Sequence, residues 1–506
     1  MPPHQCIILL ATLGEQEIIR TVLEELSDAI QTLKKHGVIC RVLIVDDSRS
    51  AEFIDHVESV FNELSIDGTI LVGKNDGLGG AIRYGFEVAS NTGSVDFLVN
   101  LDADGQHNSR QIPEVVSRHL QGGFDLTIGS RWTEGGSAEG MRLYRKLLSK
   151  GAAKILHQVG VDSQIKDPTT SFRVYSKRAF ELVSREAIDL EGFAFFGGAV
   201  AICCSDGLSI AEVPINFRPR FFGKSKLDVR RVFESAKQVS IISSKTCMLR
   251  RRNKLLRDYA NLIVDNYKNP FKEHEVMVCA EENTARHLIG YLGRTIVGDV
   301  LEVGAGSGSY SVQLSEEADA ILCIEPEESR FQALEKTVQH RKNVSIFKGT
   351  LSQFLSDQRS TLSYQEFDCV FYAHVLEHIS EDVAELRMAA TCLSEDGNLV
   401  VVVPSLPRLY GSVDALTGHC RRYTKKELTA VAHAAGLEVS SIKYFNPLAI
   451  IPYWIMYRLI KVRSVGSGQL GLYDRIMVPL SYRLIDFGRG RIFGNNLIAV
   501  LTKKSN

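Results

Sequence analysis

The stretch FLVNLDADGQHNS, residues 97–109, ends an apolar run in two aspartates. Side chains two apart in extended backbone point the same way, so Asp102, Asp104 and Gln106 can converge on one point. Carboxylates near a core need compensation, and three converging oxygen ligands suit a hard divalent cation. The same letters also describe a plain turn after a strand, since Asp, Gly, Asn and Ser all favour turns. A second concentration of chemistry lies in EVGAGSG, where Gly304, Gly306 and Gly308 let the backbone approach a ligand closely. A dinucleotide fingerprint would require a third glycine where Ser309 stands. A third is AHVLEHI, with His374, Glu377 and His378, joined later in the chain by His419. These imidazoles are candidate general bases or metal ligands, His374 and His378 being read as i, i+4 on one helix face. A polar helix start covering a cofactor fits the same residues.

Strands and helices must position these groups. The apolar run CIILLAT is followed by a helical pattern ending at Gly37, then by CRVLIVDDS, a second helix, GTILVGKNDGLGGAIRYGFEVA and VDFLVNLDADG. Short apolar strands alternating with helices predict a mostly parallel, doubly wound sheet whose ligands sit at the carboxyl ends of strands. Asp46, Asp47, Asp102 and Asp104 all fall there. From DVLEVGAGSG onward the alternation begins afresh. The predicted fold is therefore α/β, two doubly wound Rossmann-like domains in series. The boundaries read as residues 1–235, a basic helical connector over 236–275 containing MLRRRNKLLRDY, and 276–506 with an amphipathic C-terminal region.

Bulk properties narrow the function classes. The chain has 506 residues, 44% hydrophobic and 24% charged, with a net charge of −1, which gives no reason to expect nucleic-acid binding. Its ten cysteines form no CxxC pair, so neither a disulfide framework nor a zinc ribbon is indicated, and a reducing cytoplasm is expected. No signal peptide or spanning helix is read. The stretch YFNPLAIIPYWIMYRLIKVR is interrupted by Asn446, Pro447, Pro452 and Arg458. It fits either a helix at a bilayer surface or one covering its own core.

The first half resembles the inverting family-2 glycosyltransferases of GT-A fold, closest to their dolichol-phosphate mannose synthase-like branch. The motifs ATLGEQEII, IVDDS, GLGGAIRYGF, LDADGQH, IGSRW, DPTTSFRVY and RFFGKSKL occur in the family's order over Cys6–Leu227. The resemblance implies a nucleotide-sugar donor, GDP- or UDP-linked, and Mg²⁺ or Mn²⁺ on Asp102, Asp104 and Gln106. Thr12, Glu15, Asp46, Asp47, Asp102 and Arg131 would bind the donor, although Asp47 alone also fits a helix cap. Asp167 would sit near the anomeric carbon or the acceptor. Arg145, Ser149, Arg220, Ser225 and Lys226 would take diphosphate or acceptor phosphate, with Asp167, Arg220 and Lys226 in catalytic roles. The sequence departs from the family at ATLGE, at Ser171 and at Gly198, where a glutamate is usual. Losing that carboxylate removes a possible base, and a phosphate monoester needs none, which favours a polyprenyl-phosphate acceptor.

The second half resembles class I S-adenosylmethionine-dependent methyltransferases over Val276–Leu501. Their first motif matches at EVGAGSG, followed in order by LCIEP, EFDCVFYAHVLEHI, LSEDGNLVVVVPS and DALTGHCRRYTKKEL. This implies S-adenosylmethionine contacts at Glu302, Gly304, Ala305, Gly306, Gly308, Glu325, Leu351 and Ala373, with His378 as the catalytic candidate. Thr350 replaces the acidic residue often found near adenine. Related ubiquinone-pathway O-methyltransferases carry metal-ligating residues at the His374–His378 motif, so metal binding there is an alternative to base catalysis. GHCRRYT, with Arg421 and Arg422, reads either as a clamp for an anionic substrate or as a structural turn.

The combined expectation is a bifunctional enzyme. It would transfer a sugar to polyprenyl phosphate, with peripheral contact at the inner face of the membrane, and methylate a glycan or lipid-pathway intermediate. Glycosylation of a soluble hydroxyl acceptor is the first alternative. An inactive glycosyltransferase acting as a binding module for the methyltransferase is the second.

Overall fold

The computed structural model describes residues 3–74, 77–92, 95–139, 141–192, 194–219, 230–268, 282–361, 366–460 and 493–504. The chain divides into two compact units, Met1–Arg251 and Arg252–Asn506. In the first, seven strands form one sheet: β1 (His4–Thr12), β2 (Val38–Asp46), β3 (Gly68–Val72), β4 (Phe97–Asp102), β5 (Leu126–Ser130), β6 (Arg173–Ser176) and β7 (Ile210–Pro214). Their order is β3-β2-β1-β4-β6-β5-β7, with β6 antiparallel to both its neighbours and the remaining pairs parallel.

Strand β1 shows why. Its side chains alternate, Ile7 and Leu9 entering the core on one face and Cys6, Ile8 and Leu10 that on the other. Both faces are covered, so the strand reads as a continuous apolar run. The helix Gly77–Asn91 crosses one face so closely that a Cβ at Gly85 would lie 2.4 Å from Leu9 Cδ1. Parallel pairing then aligns the strand ends: Thr12 stands opposite Asp46, and Ala11 opposite Asp102.

The stretch expected to connect the domains is instead partly integral to the first. The helix Arg230–Lys268 buries Ile242 and Leu249 in one of its cores. Thr246 donates to the Val159 carbonyl and Arg250 to that of Gly160, both at 2.7 Å. Its apolar spacing, seven residues apart, gives the charged run an anchored face.

The second unit has its own sheet: β8 (Asp299–Val303), β9 (Ala320–Glu325), β10 (Val344–Lys348), β11 (Phe367–Ala373), β12 (Leu393–Pro404), β13 (Leu437–Phe445) and β14 (Asn496–Lys503). The order is β10-β9-β8-β11-β12-β14-β13, with β14 antiparallel to β12 and β13. Again each face has its own core, Leu301 and Val303 on one side and Val300 on the other. These are the two α/β domains in series that the strand–helix alternation predicts. Among the described residues, no helix is long and apolar enough to cross a membrane.

Candidate active sites

In the first unit the strand ends hold the expected row of residues. The Thr12 hydroxyl donates to the Glu15 carboxylate, which also accepts from the Leu13 amide at 2.8 Å. Asp46 is fully buried and accepts from the Ser48 amide at 3.0 Å, the Ser48 hydroxyl at 2.7 Å and the Arg49 amide at 3.0 Å. Its carboxylate therefore builds the loop after β2. Asp47 is packed against Gly73, where a Cβ would come within 1.9 Å of Asp47 Oδ1.

At the end of β4, Asp102 keeps 31% of its side chain exposed. Desolvation, reinforced by the charge of Asp104, pushes its carboxyl up to about 7. Asp104 accepts the Gln106 amide at 3.1 Å, so the turn brings all three residues together. Gln106 is buried and donates its side-chain nitrogen to the Arg218 carbonyl at 3.2 Å, leaving Oε1 as its remaining acceptor. Two mutually repelling carboxylates and an amide oxygen fit a hard divalent cation, which would offset the charge they accumulate. Beneath them lies buried His107, 3.9 Å from Asp102, with neither ring nitrogen hydrogen-bonded. Burial lowers its pKa to about 4, so the ring is neutral.

Asp167, expected near the anomeric carbon or the acceptor, lies against Arg131. It is fully buried and accepts from Arg131 Nε and Nη2, both at 2.7 Å, and from the Arg131 amide at 2.9 Å. With both oxygens engaged, Asp167 positions Arg131. Arg131 Nη2 also reaches Thr169 Oγ1 at 3.1 Å and Ser149 Oγ at 3.5 Å. Ser149 lies on the helix Leu143–Val159, which also carries half-buried Arg145. Arg220, Ser225 and Lys226 lie outside the described residues.

In the second unit, the loop after β8 turns on left-handed glycines, with φ of 74° at Gly304, 59° at Gly306 and 95° at Gly308. A Cβ at Gly306 would meet nothing within 4 Å, whereas one at Gly304 would strike Val375 Cγ2 at 2.5 Å. Glu325, ending β9, accepts from the amides of Gly306 at 2.8 Å and Glu327 at 2.9 Å. This ties the glycine turn to the next strand. Leu351 is buried and Ala373 half-buried at the end of β11. Glu302, expected to contact the cofactor, is buried and accepts from the Ser311 hydroxyl at 2.5 Å and the Cys323 thiol at 3.3 Å. It braces the turn from beneath, and desolvation raises its pKa to about 7.

A family model described as glycosyl transferase family 2 matches residues 7–183, and one described as methyltransferase domain matches residues 252–442. The chain carries a family 2 glycosyltransferase domain followed by a methyltransferase domain. A dolichol-phosphate mannosyltransferase of Pyrococcus furiosus is 29% identical over 235 residues, 46% of this chain and 62% of its own length. A polyprenol monophosphomannose synthase of Mycolicibacterium smegmatis is 29% identical over 250 residues, 47% of this chain and 87% of its own. The chain thus spans less than two thirds of the first of these relatives. Among solved structures, the mitomycin 7-O-methyltransferase MmcR matches with a TM-score of 0.32 and 13% identity, covering 48% of this chain and 60% of that one. The DhpI–SAH complex matches with a TM-score of 0.29 and 16% identity, covering 50% and 98%.

In the methyltransferase domain the histidines are not arranged as the spacing predicts. His374 follows β11 with φ of 58°, and Leu376–His378 is a single 3-10 turn, so no helix face joins His374 to His378. His378 instead meets His419 edge to face, with ring centroids 4.6 Å apart. Desolvation and the neighbouring His419 lower the pKa of His378 to about 4. The anionic-substrate clamp gives way to the structural turn. Arg421 is buried against Asp382 and the Ser380 carbonyl, and Arg422 bonds Asp414 at 2.8 Å.

Asp414 is the residue sequence reasoning missed. Fully buried, it accepts from His419 Nδ1 at 3.0 Å, the Gly411 amide at 2.8 Å and the Tyr453 hydroxyl at 2.7 Å. Its one sequence signal is its place five residues before His419 in DALTGH. Tyr453 belongs to the apolar stretch after β13, which points this side chain inward while Ile451, Trp454 and Ile455 are exposed.

Proposed function

We propose that the first domain transfers a sugar from a GDP- or UDP-linked donor to polyprenyl phosphate at the cytoplasmic face of a membrane. The second methylates the resulting lipid-linked glycan or another intermediate of that pathway, using S-adenosylmethionine. The observation that carries the acceptor assignment is the helix Leu143–Val159. Its inner face holds Ser149 beside Arg131, together with buried Ala153 and Leu156. Its opposite face exposes Leu143 by 74%, Leu147 by 64% and Leu148 by 50%, with Tyr144 and Ile155 alongside. Lys146, Lys150 and Lys154 flank that face at helical spacing. An apolar stripe edged by lysines suits the interface of an anionic bilayer, where a lipid phosphate would lie level with Arg145 and Ser149.

Asp102, Asp104 and Gln106 would hold Mg²⁺ or Mn²⁺, whose charge stabilises the departing nucleoside diphosphate. Glu15 and Asp47 line the loops expected to take the nucleoside, while Asp167 holds Arg131 in register for a phosphate. Position 198 supports attack without a protein base. A Cβ there would lie 2.2 Å from Leu190 Cδ1 and 3.2 Å from Ile242 Cγ1, so apolar side chains fill the place of the family's glutamate. The acceptor phosphate supplies its own oxyanion. In the second domain the Gly304–Gly308 turn and Glu325 would seat the cofactor, whose methyl carbon would be open to in-line attack by the acceptor atom with S-adenosylhomocysteine as the leaving group.

The test is turnover across a panel of GDP- and UDP-sugars with Mn²⁺ or Mg²⁺, with and without a short polyprenyl phosphate. A lipid-dependent glycosylated product is expected, and it then serves as substrate for methylation. Metal-dependent turnover indifferent to the lipid would overturn the acceptor assignment in favour of a soluble hydroxyl compound. Nucleotide binding with no turnover on any donor would overturn the transferase assignment in favour of a binding module.

A further inference from the structure

Ser171 is one of the positions at which the chain departs from its family, and the fold sets it beside Asp102. Strands β4 and β6 pair antiparallel, with Phe97 opposite Ser176 and Asn100 opposite Arg173. Carried two residues further, the same register sets Ser171 opposite Asp102. Asn100 Nδ2 donates to the Ser171 carbonyl at 2.8 Å, which holds the chain in that register just before β6 begins. Directly opposed residues of an antiparallel pair project to one face, so the Ser171 side chain and the Asp102 carboxylate share a side of the sheet.

Ser171 is 3% exposed, and its Oγ has no hydrogen-bond partner among the described residues. A buried hydroxyl in that state is costly. The acceptor it faces in register is Asp102. Desolvation and the charge of Asp104 push that carboxyl up, and the Ser171 hydroxyl is foremost among the groups that oppose them. His107 supplies a second donor of the same kind. Its ring meets Phe172 and Phe217 edge to face, with centroids 5.8 and 5.2 Å away. Its Nδ1 stands 3.9 Å from Asp102 Oδ2 without a hydrogen bond. Phe172 enters one core of the sheet and Tyr175 the other, so His107 approaches from the face opposite Ser171.

A ligating carboxylate gives part of its lone pairs to the metal, and donors behind it take the rest and fix its direction. We propose that the Ser171 hydroxyl is a positioning group for Asp102, holding its carboxylate toward the divalent cation, with His107 behind the same carboxylate. Ser171 acts on the cation only through Asp102. The inference rests on the reading of Asp102, Asp104 and Gln106 as the Mg²⁺ or Mn²⁺ ligands of sugar transfer.

The experiment is a Mn²⁺ titration of the full-length chain, with the free ion counted by electron paramagnetic resonance. The unmodified chain should bind Mn²⁺, and Asp104→Ala should lose that ion. Ser171→Ala and Ser171→Gly delete the hydroxyl and should bind it roughly ten- to a hundredfold more weakly, the usual cost of removing an outer partner of a metal ligand. Ser171→Thr keeps the hydroxyl and should recover most of the affinity. The hydroxyl has no partner in the described polypeptide, so its deletion should leave the first domain folded, and either deletion variant that folds decides. A merely structural serine would lower the first domain's urea midpoint without moving the Mn²⁺ affinity. Unchanged affinity in a folded deletion variant overturns the proposal and leaves the cation site standing. Equal weakening in Ser171→Thr traces the loss to packing and also overturns it. Mn²⁺ binding that Asp104→Ala does not weaken, or no binding by the unmodified chain, defeats the cation reading and this inference with it.

Discussion

Asp102 and Glu302 are both carboxyls held near neutrality by their surroundings, for different ends. Burial raises Glu302, and its partners Ser311 and Cys323 only partly offset this. Because its folded pKa exceeds the unfolded one, it favours folding below its ordinary pKa, and that contribution is lost as pH rises toward about 7. Glu302→Gln should therefore remove a fall in second-domain stability of up to roughly 3 kcal/mol between acid and neutral pH. Urea midpoints of the two proteins across that range check it. Asp104→Ala removes one of the two main causes of the Asp102 shift, so Asp102 should ionise at lower pH while sugar transfer is lost. S-adenosylhomocysteine binding, measured calorimetrically, should be unchanged. Asp167→Asn should cost about 3–5 kcal/mol, since it strips a buried arginine of its counter-charge. A first-domain unfolding midpoint equal to that of the unmodified chain would refute the positioning role.

The helix Leu143–Val159 shows how one element can serve two environments. Its buried residues fall on the side opposite its exposed leucines, and the sheet accounts only for the former. Replacing Leu143 and Leu147 by serine should weaken co-sedimentation with anionic vesicles by at least about tenfold, a loss of only about 1.4 kcal/mol. Both side chains are mostly exposed, so first-domain stability should move by less than about 0.5 kcal/mol. Vesicle binding unchanged in the double variant would remove the membrane assignment of this face. The glycine turn after β8 is the corresponding element of the second domain. With open space around Gly306 and a left-handed backbone, Gly306→Arg should fill and strain the cofactor turn. Loss of S-adenosylhomocysteine binding with sugar transfer intact is the expected result.

At the scale of the whole molecule, two sheets each bury their own pair of cores. Each ligand should then stabilise its own unit. S-adenosylhomocysteine at about 100 times its Kd should raise only the second unit's unfolding free energy, by about 2.7 kcal/mol. Nucleotide with Mn²⁺ should act on the first alone. Limited proteolysis at increasing urea distinguishes the units, and protection of both by either ligand would contradict independent folding.

The amino-acid sequence by itself determined the two strand–helix series, the acidic pair at the end of β4 and the glycine turn after β8. Each depends on neighbours a few residues away: alternation along a strand, a left-handed turn, an apolar run bounded by glycine. The tertiary structure decided what the charged side chains do. Arg131 and Asp167 are 36 residues apart, and Arg421 and Asp382 are 39, yet burial pairs them, so that Asp167 positions Arg131 and Asp382 holds Arg421. Likewise no local pattern joins His378 to His419 or places Asp414 behind the latter. A buried ion must find its counter-charge wherever the packed chain brings one, and that choice is made across the fold rather than along the sequence.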